Sequence, residues 1–314
     1  MLGRTAANLF WLSRYIERAE NVARLLEVGY RLSLTAQLDE SGNENLLSTL
    51  QAASAEKGYF EKYDETDFGN VMNYLLFDPQ NESSIYSCLA SARTNGRAVR
   101  TAITTDMWET LNSVWLEFSH VRPRDVTGKK LPEMFLWVKQ ASHQFRGALL
   151  GTFLRRPGFA FSQLGNFIER GDSTARILDM KYYVLLPRAS QIGDEMDVQQ
   201  WSFILRATSA HRSYRHVYHD RYKAWNIADY LILRPEMPRS LKFCMRYVVE
   251  NTGMLAGMYG QELTAHAAST SLLNALEGNN MDHIFQDGLH EFLTSFIFRN
   301  NLISAAIAED YNFY

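Results

Sequence analysis

Residues 12–27, LSRYIERAENVARLLE, and residues 164–179, LGNFIERGDSTARILD, say nearly the same thing within one chain of 314 residues. Glu17 answers to Glu169, 152 positions on and close to half the length, so whatever accommodates one segment must be built to accommodate the other. The match extends beyond one element. Leu50, Ala55, Tyr59 and Tyr63 answer to Leu205, Ala210, Tyr214 and Tyr218 at a shift of 155, and residues 73–79 answer to 229–235 at 156. In that last register Ser84 and Cys88 meet Ser240 and Cys244. A fainter match sets His143-Gln144-Phe145 against His290-Glu291-Phe292 at 147. Tandem duplication is the simplest source of such a pattern.

Period decides what is duplicated. Leu9, Leu12, Ile16, Ala19, Ala23 and Leu26 step by three or four, the spacing of one apolar helix face, and Leu164, Ile168, Gly171, Ala175 and Leu178 repeat it. Similar spacing runs through 43–63, 81–118, 131–155, 195–222, 238–258, 260–278 and 281–308, and no stretch alternates like a strand between hairpin turns. Prolines fall between these segments or in their first turns, and 36–44, 120–131 and 187–197 read as the polar connections. The expected fold is all-α, a bundle of about ten helices. It forms a single domain over 1–314 built from two similar halves, about 1–155 and 156–314, related by a pseudo-twofold axis. The helices over 4–34 and 159–186 lie near that axis, and the halves join near 155–158.

Composition narrows the functional classes. With 46% hydrophobic and 21% charged residues the chain can bury a sizeable core. A net charge of −3 carries no basic footprint for nucleic acid. The N-terminus runs directly into a charged amphipathic segment, which fits neither a signal peptide nor a membrane span, so a soluble cytoplasmic protein without a membrane partner is expected. Two cysteines are too few for a disulfide framework, and each sits in an apolar helical stretch as a small hydrophobe would. Phosphate loops, zinc knuckles, nucleophile elbows and dinucleotide fingerprints are all missing from the sequence, so no cofactor and no self-sufficient catalysis, ATP hydrolysis included, are expected.

The repeated charges are the most informative residues. Arg14, Glu17, Arg18, Asn21, Arg24 and Arg31, with Glu20 beside them, lie off the apolar face of the first helix, and the second copy keeps Glu169, Arg170, Asp172 and Arg176 in register. A solvated face stabilised by Glu20–Arg24 and Asp172–Arg176 pairs at i,i+4 would look similar. Yet Ile-Glu-Arg and Ala-Arg are intact where neighbours have changed, and the small pairs Ala19/Gly171 and Ala23/Ala175 permit close approach of another helix. Three readings follow: an ion-pair lattice across the pseudo-twofold, a ligand site there, or plain surface.

The opening run from Gly3 to Leu26, the run Ser87 to Arg100 followed by Asp106-Met107-Trp108-Glu109, the stretch Phe161 to Leu186, and Pro238-Arg239-Ser240-Leu241 resemble the signature of the bacterial alpha-E family over essentially the whole chain. That resemblance implies an all-helical protein of unsettled biochemistry. Its genes typically neighbour those of a circularly permuted ATP-grasp ligase and a transglutaminase-like cysteine peptidase, which implies both as partners in a pathway that makes or modifies peptide or amide bonds.

An ATP-grasp ligase makes an acyl phosphate and needs an amine to attack it. Guanidinium groups fork onto carboxylates while acids take an ammonium, so Glu17, Arg18, Glu20, Asn21 and Arg24 with Glu169, Arg170, Asp172 and Arg176 suit an amino acid or peptide. Arg14, Arg93, Asn95 and Arg97 form a second candidate cluster, contributed from another helix. The expected function is an accessory subunit of such a ligase system, possessing a substrate-binding surface. The alternatives are a stand-alone adaptor and, more distantly, a carboxylate-bridged metal enzyme using Glu17, Glu20, Glu169 and Asp172. The metal reading lacks the Glu-x-x-His that such bundles take from two helices. The spaced histidines His216 and His219 have no counterpart in the other copy and read as partly exposed side chains.

Overall fold

The computed structural model describes residues 1–35, 42–184, 195–219, 222–260 and 263–313. These residues form fifteen α-helices and no strand. In chain order they are α1 (Gly3–Thr35), α2 (Gly42–Ala52), α3 (Glu56–Phe60), α4 (Phe68–Leu76), α5 (Ile85–Ala98), α6 (Thr105–Ser119), α7 (Lys130–Thr152) and α8 (Pro157–Val184). Then come α9 (Glu195–Ala207), α10 (His211–Tyr218), α11 (Ala224–Ile232), α12 (Leu241–Tyr259), α13 (Thr264–Glu277), α14 (Met281–Asp287) and α15 (Leu289–Asp310). Most of the expected connections at 36–44 and 187–197 lies outside the described residues.

The helix count exceeds the expected ten for a local reason. The continuous period over 43–63 conceals a break at Ser54 and that over 195–222 a break at Ser209, both in the left-handed conformation at φ 54° and 56°. At each break an alanine amide closes the turn on a leucine carbonyl five residues back, Ala55 on Leu50 at 2.9 Å and Ala210 on Leu205 at 2.7 Å. This is the geometry in which helices commonly stop at a glycine; serine carries no such signal in sequence. Gly288, at φ 103° and ψ 119°, separates α14 from α15 by a different break, and the stretch 81–118 divides between α5 and α6.

Helices α1 and α8 pack on each other at the middle, with α5 and α7 also against α1, and α12 and α15 also against α8. Their contacts advance together, from Phe10 against Gly165 to Arg14 against Glu169 and Glu17 against Arg170, so the two helices run in the same direction. Helix α2 also packs on α8, and α9 on α1. The apolar positions read from the period, Leu9, Leu12, Ile16, Ala19, Ala23 and Leu26, are all buried, as are Leu164, Ile168, Ala175 and Leu178.

Corresponding positions adopt corresponding local structure. Ser84 caps α5 by accepting the Ser87 amide at 3.1 Å, and Ser240 caps α12 by accepting that of Phe243 at 3.0 Å. Such caps are worth about 1 kcal/mol each. Tyr59, Tyr63 and Tyr74 cluster with ring centroids 4.9 to 6.4 Å apart, and Tyr214, Tyr218 and Tyr230 with centroids 4.9 to 5.9 Å apart. Cys88 and Cys244 are both buried free thiols, each pushed up to about 12 by burial and therefore unreactive. The faint histidine match at 147 has no such support. His143 faces Glu20, whereas His290 binds Asp179, whose counterpart Glu27 is taken by Lys139.

Candidate functional site

An acid on the packed face of a helix needs partners from other elements, and α1 and α8 supply one another's. Arg18 donates from Nε and Nη2 to the two oxygens of Glu169 at 2.6 and 3.0 Å. Arg170 donates from the same two atoms to the two oxygens of Glu17 at 3.0 and 2.9 Å. The Glu-Arg dipeptide of each helix is thus forked onto that of the other, the strong bidentate form of the ion pair.

Around this exchange lie two unequal hubs. In the first, Glu17 and Glu20 are fully buried, at 0% exposure. Arg239, just before α12, lies 3.1 Å from Glu17 and donates to Glu20 at 2.6 Å and to Asn21 at 2.9 Å. Arg146 of α7 donates from Nη1 to Glu17 at 2.8 Å and also bonds Glu20. Glu20 also accepts from Arg24 Nε at 2.9 Å and from Ser142 Oγ at 2.7 Å. In the second hub Glu169 accepts from Arg14 at 2.8 Å as well as from Arg18, and Asp172 pairs with Arg176 at 2.7 Å. Arg14 also lies over the Trp11 ring at 4.8 Å. Seven guanidinium groups therefore meet four carboxylates.

The electrostatics follow from crowding and burial together. Burial alone would push the Glu17 carboxyl up, but Arg170, Arg239 and Arg146 outweigh it and bring it down to about 2. Against the same burial, Arg18 and Arg14 hold Glu169 at about 2. Glu20 is likewise held well below the usual carboxylate range, with Arg239 its strongest opposing influence. Arg239 itself is lowered to about 10, because burial, with Arg24 and Arg170 close by, outweighs the attraction of Glu17 and Glu20. A carboxyl whose folded value lies below its unfolded one adds stability above the unfolded value and loses it as pH falls towards the folded one. Stability is therefore expected to fall steeply as pH drops from about 4.5 to about 2, the window set by Glu17 and Glu169. Denaturation midpoints measured at several pH values across that window check it; a flat profile would refute the assignment.

The solvated-face reading of the stripe is overturned: Arg14, Glu17, Glu20, Asn21, Arg24, Glu169 and Arg170 are all buried. The expected second cluster is not assembled either. Arg93 donates to Asn112 at 3.0 Å, Asn95 to the Ser91 carbonyl at 2.7 Å, and Arg97 is exposed near the end of α5, while Arg14 joins Glu169 instead. Nor do the four acids converge for a metal; each is taken by arginines, and among the described residues no group of three or more His, Cys, Asp or Glu is placed to hold one. His216 and His219 are exposed. Arg146, Arg239 and Ser142 were missed as hub members. None belongs to the duplicated stripe, and Arg239 has Ser83 as its counterpart.

Among the cavities that border the hubs, two lie directly beside their acids or arginines on α1 and α8. One, of about 200 Å³, lies at the second hub between Arg14, Arg18 and Asn21 on α1, Glu169, Asp172, Ser173 and Arg176 on α8, and Ser83. The buried Asn21 Nδ2 has no hydrogen-bond partner. The other, of about 240 Å³, lies on the first-hub side beside Arg146 and Arg170.

The family model for Alpha-E, described as a predicted alpha-helical domain with a conserved ER motif, matches residues 1–312. Glu17-Arg18 and Glu169-Arg170 are the two Glu-Arg dipeptides of the sequence. Uncharacterized proteins of Mycobacterium bovis and Mycobacterium tuberculosis are 30% identical to this chain over 187 residues, covering 54% of the chain and 21% of their own length. The chain thus spans about a fifth of the curated relatives it matches. No solved structure is significantly similar to it. Among the described residues, no helix is long and apolar enough to cross a membrane.

Proposed function

Because the chain belongs to the Alpha-E family, we propose that it is an accessory subunit of an ATP-grasp-dependent system that makes or modifies amide bonds, holding an amino acid or peptide terminus for the ligase. We read it as one domain of two duplicated halves in which the first hub serves structure and the second serves binding. One observation carries this reading. At the first hub Arg239 fills the space beside Glu17, Glu20 and Asn21. In the second the counterpart is Ser83, and a cavity of about 200 Å³ remains beside Glu169, Asp172 and Ser173.

A ligand ammonium fits where the missing guanidinium would sit, between Glu169 and Asp172. A carboxylate or peptide carbonyl then meets Arg14, Arg18 and the unpartnered Asn21 amide, which supplies a buried donor with the acceptor it lacks. Nothing in this arrangement activates a bond, so the chemistry falls to the partner.

The test incubates this chain and the ATP-grasp ligase, singly and together, with ATP and a mixture of amino acids, following ADP and new amide masses. Product is expected only with both proteins, and Ser83→Arg, which delivers a guanidinium into the slot, is expected to abolish it with little change in melting temperature. Ligase turnover that is the same without this chain would reduce the protein to an adaptor, a role the satisfied first hub already suits.

A further inference from the structure

The cavity on the first-hub side differs in character from the one beside Ser83. Its floor is polar, with one hydroxyl buried unbonded. Ser13 is 5% and Gln163 7% exposed, the Ser13 hydroxyl has no hydrogen-bond partner, and the Gln163 amide makes no hydrogen bond among the described residues. Arg146 spends Nη1 on Glu17, Glu20 and Ser142, which leaves its Nε and Nη2 without a partner among the described residues. The Ser13 hydroxyl, buried without a partner, carries a desolvation cost of about 1–3 kcal/mol until something bonds it. One buried hydroxyl, an amide and a guanidinium edge with hydrogen bonds to spare, all lining one cavity, call for a ligand rich in acceptors.

The walls define the rest of that ligand. Phe167 and Tyr247 stack at 4.6 Å, Phe243 lies 4.8 Å from Tyr247, and Leu150 and Tyr247 stand partly in solvent. No acid lines this cavity. An ammonium group would therefore meet only guanidinium charge, whereas a carboxylate would find the free Arg146 edge, the fork that matches its two oxygens. A cavity of about 150 Å³ holds a benzene ring; 240 Å³ leaves room for a ring and a short acid chain.

We propose that this cavity is a binding site for a small carboxylate bearing an aromatic or comparably flat apolar group and no neighbouring ammonium, held by Arg146, Gln163 and Ser13 against the Phe167–Tyr247 wall. This site is separate from the slot beside Ser83, so either can fail without the other. In the amide-forming reading the two would keep acid and amine apart on opposite sides of the α1–α8 pair.

The test is calorimetric titration of the full chain with 3-phenylpropionate, L-phenylalanine and 2-phenylethylamine. Binding of 3-phenylpropionate is expected, about tenfold or more tighter than phenylalanine, a gap of about 1.4 kcal/mol, and the amine is expected not to bind. Gln163→Leu and Tyr247→Ala, which touch no ion pair, should each weaken 3-phenylpropionate several-fold while leaving the melting temperature near that of the parent. No heat at millimolar 3-phenylpropionate, equal affinity for all three probes, or affinity indifferent to both substitutions would overturn the proposal.

Discussion

Replacing Glu17 by alanine is expected to lower the unfolding free energy by about 3–5 kcal/mol, the range for breaking a buried ion pair by removing one partner. Arg170, Arg146 and Arg239 would be left facing one another with their shared carboxylate gone. Arg24→Ala should also be costly, since Arg24 is buried on Glu20. Arg176→Ala should cost at most about 1 kcal/mol, because the Arg176–Asp172 pair is an i,i+4 contact open to water on the Arg176 side. Urea denaturation midpoints of the three variants check the ordering. Equal losses for Glu17→Ala and Arg176→Ala would show that the first hub holds nothing together.

The second large effect comes from backbone rather than charge. A methyl group at Gly165 would meet the Phe10 carbonyl oxygen at 2.1 Å and its carbon at 3.0 Å. Neither is the far end of a flexible side chain, so α1 and α8 must separate. Overpacking costs about 1–3 kcal/mol and more where backbone must move, and Gly165→Ala is expected at or above the upper end, with a correspondingly depressed melting temperature. Gly171→Ala is the contrast. Its methyl would sit 3.5 Å from Cys244 and Phe296, ordinary contact, and the helix gains roughly 0.5–1 kcal/mol from losing a glycine. That variant should melt at or above the parent temperature.

These glycines show how far the sequence could be read. Helices α1 and α8 were legible because apolar period and duplicated charge coincide there. The small residues read as admitting another helix do so at Gly171, where α12 and α15 come in through Cys244 and Phe296; the close approach of α1 and α8 lies elsewhere, at Gly165. That point was not legible, because Gly165 answers to Ser13 and nothing in the repeat marks it. The burial of the charged stripe could be anticipated from the small residues beside it; the structure supplies the reason, since α1 is covered by α5, α7 and α8 together and its polar side faces protein as its apolar side does. Arg146 and Arg239 escaped because a lone arginine, 129 or 219 residues from the acids it bonds, leaves no local trace. Ser54 and Ser209 escaped because left-handed serine looks like any other serine.

Glu17 and Arg170 stand 153 residues apart in the chain. At synthesis rates of about 5–20 residues per second, the acid exists for roughly 10 to 30 seconds before its guanidinium partner has been made. Until then Glu17 lacks Arg170, and Glu20 has Arg24 on its own helix and later Arg146 but not Arg239, so burying the pair early would be costly. An ion-pair lattice completed only once α8 and Arg239 have been made is expected to slow unfolding more than it speeds folding.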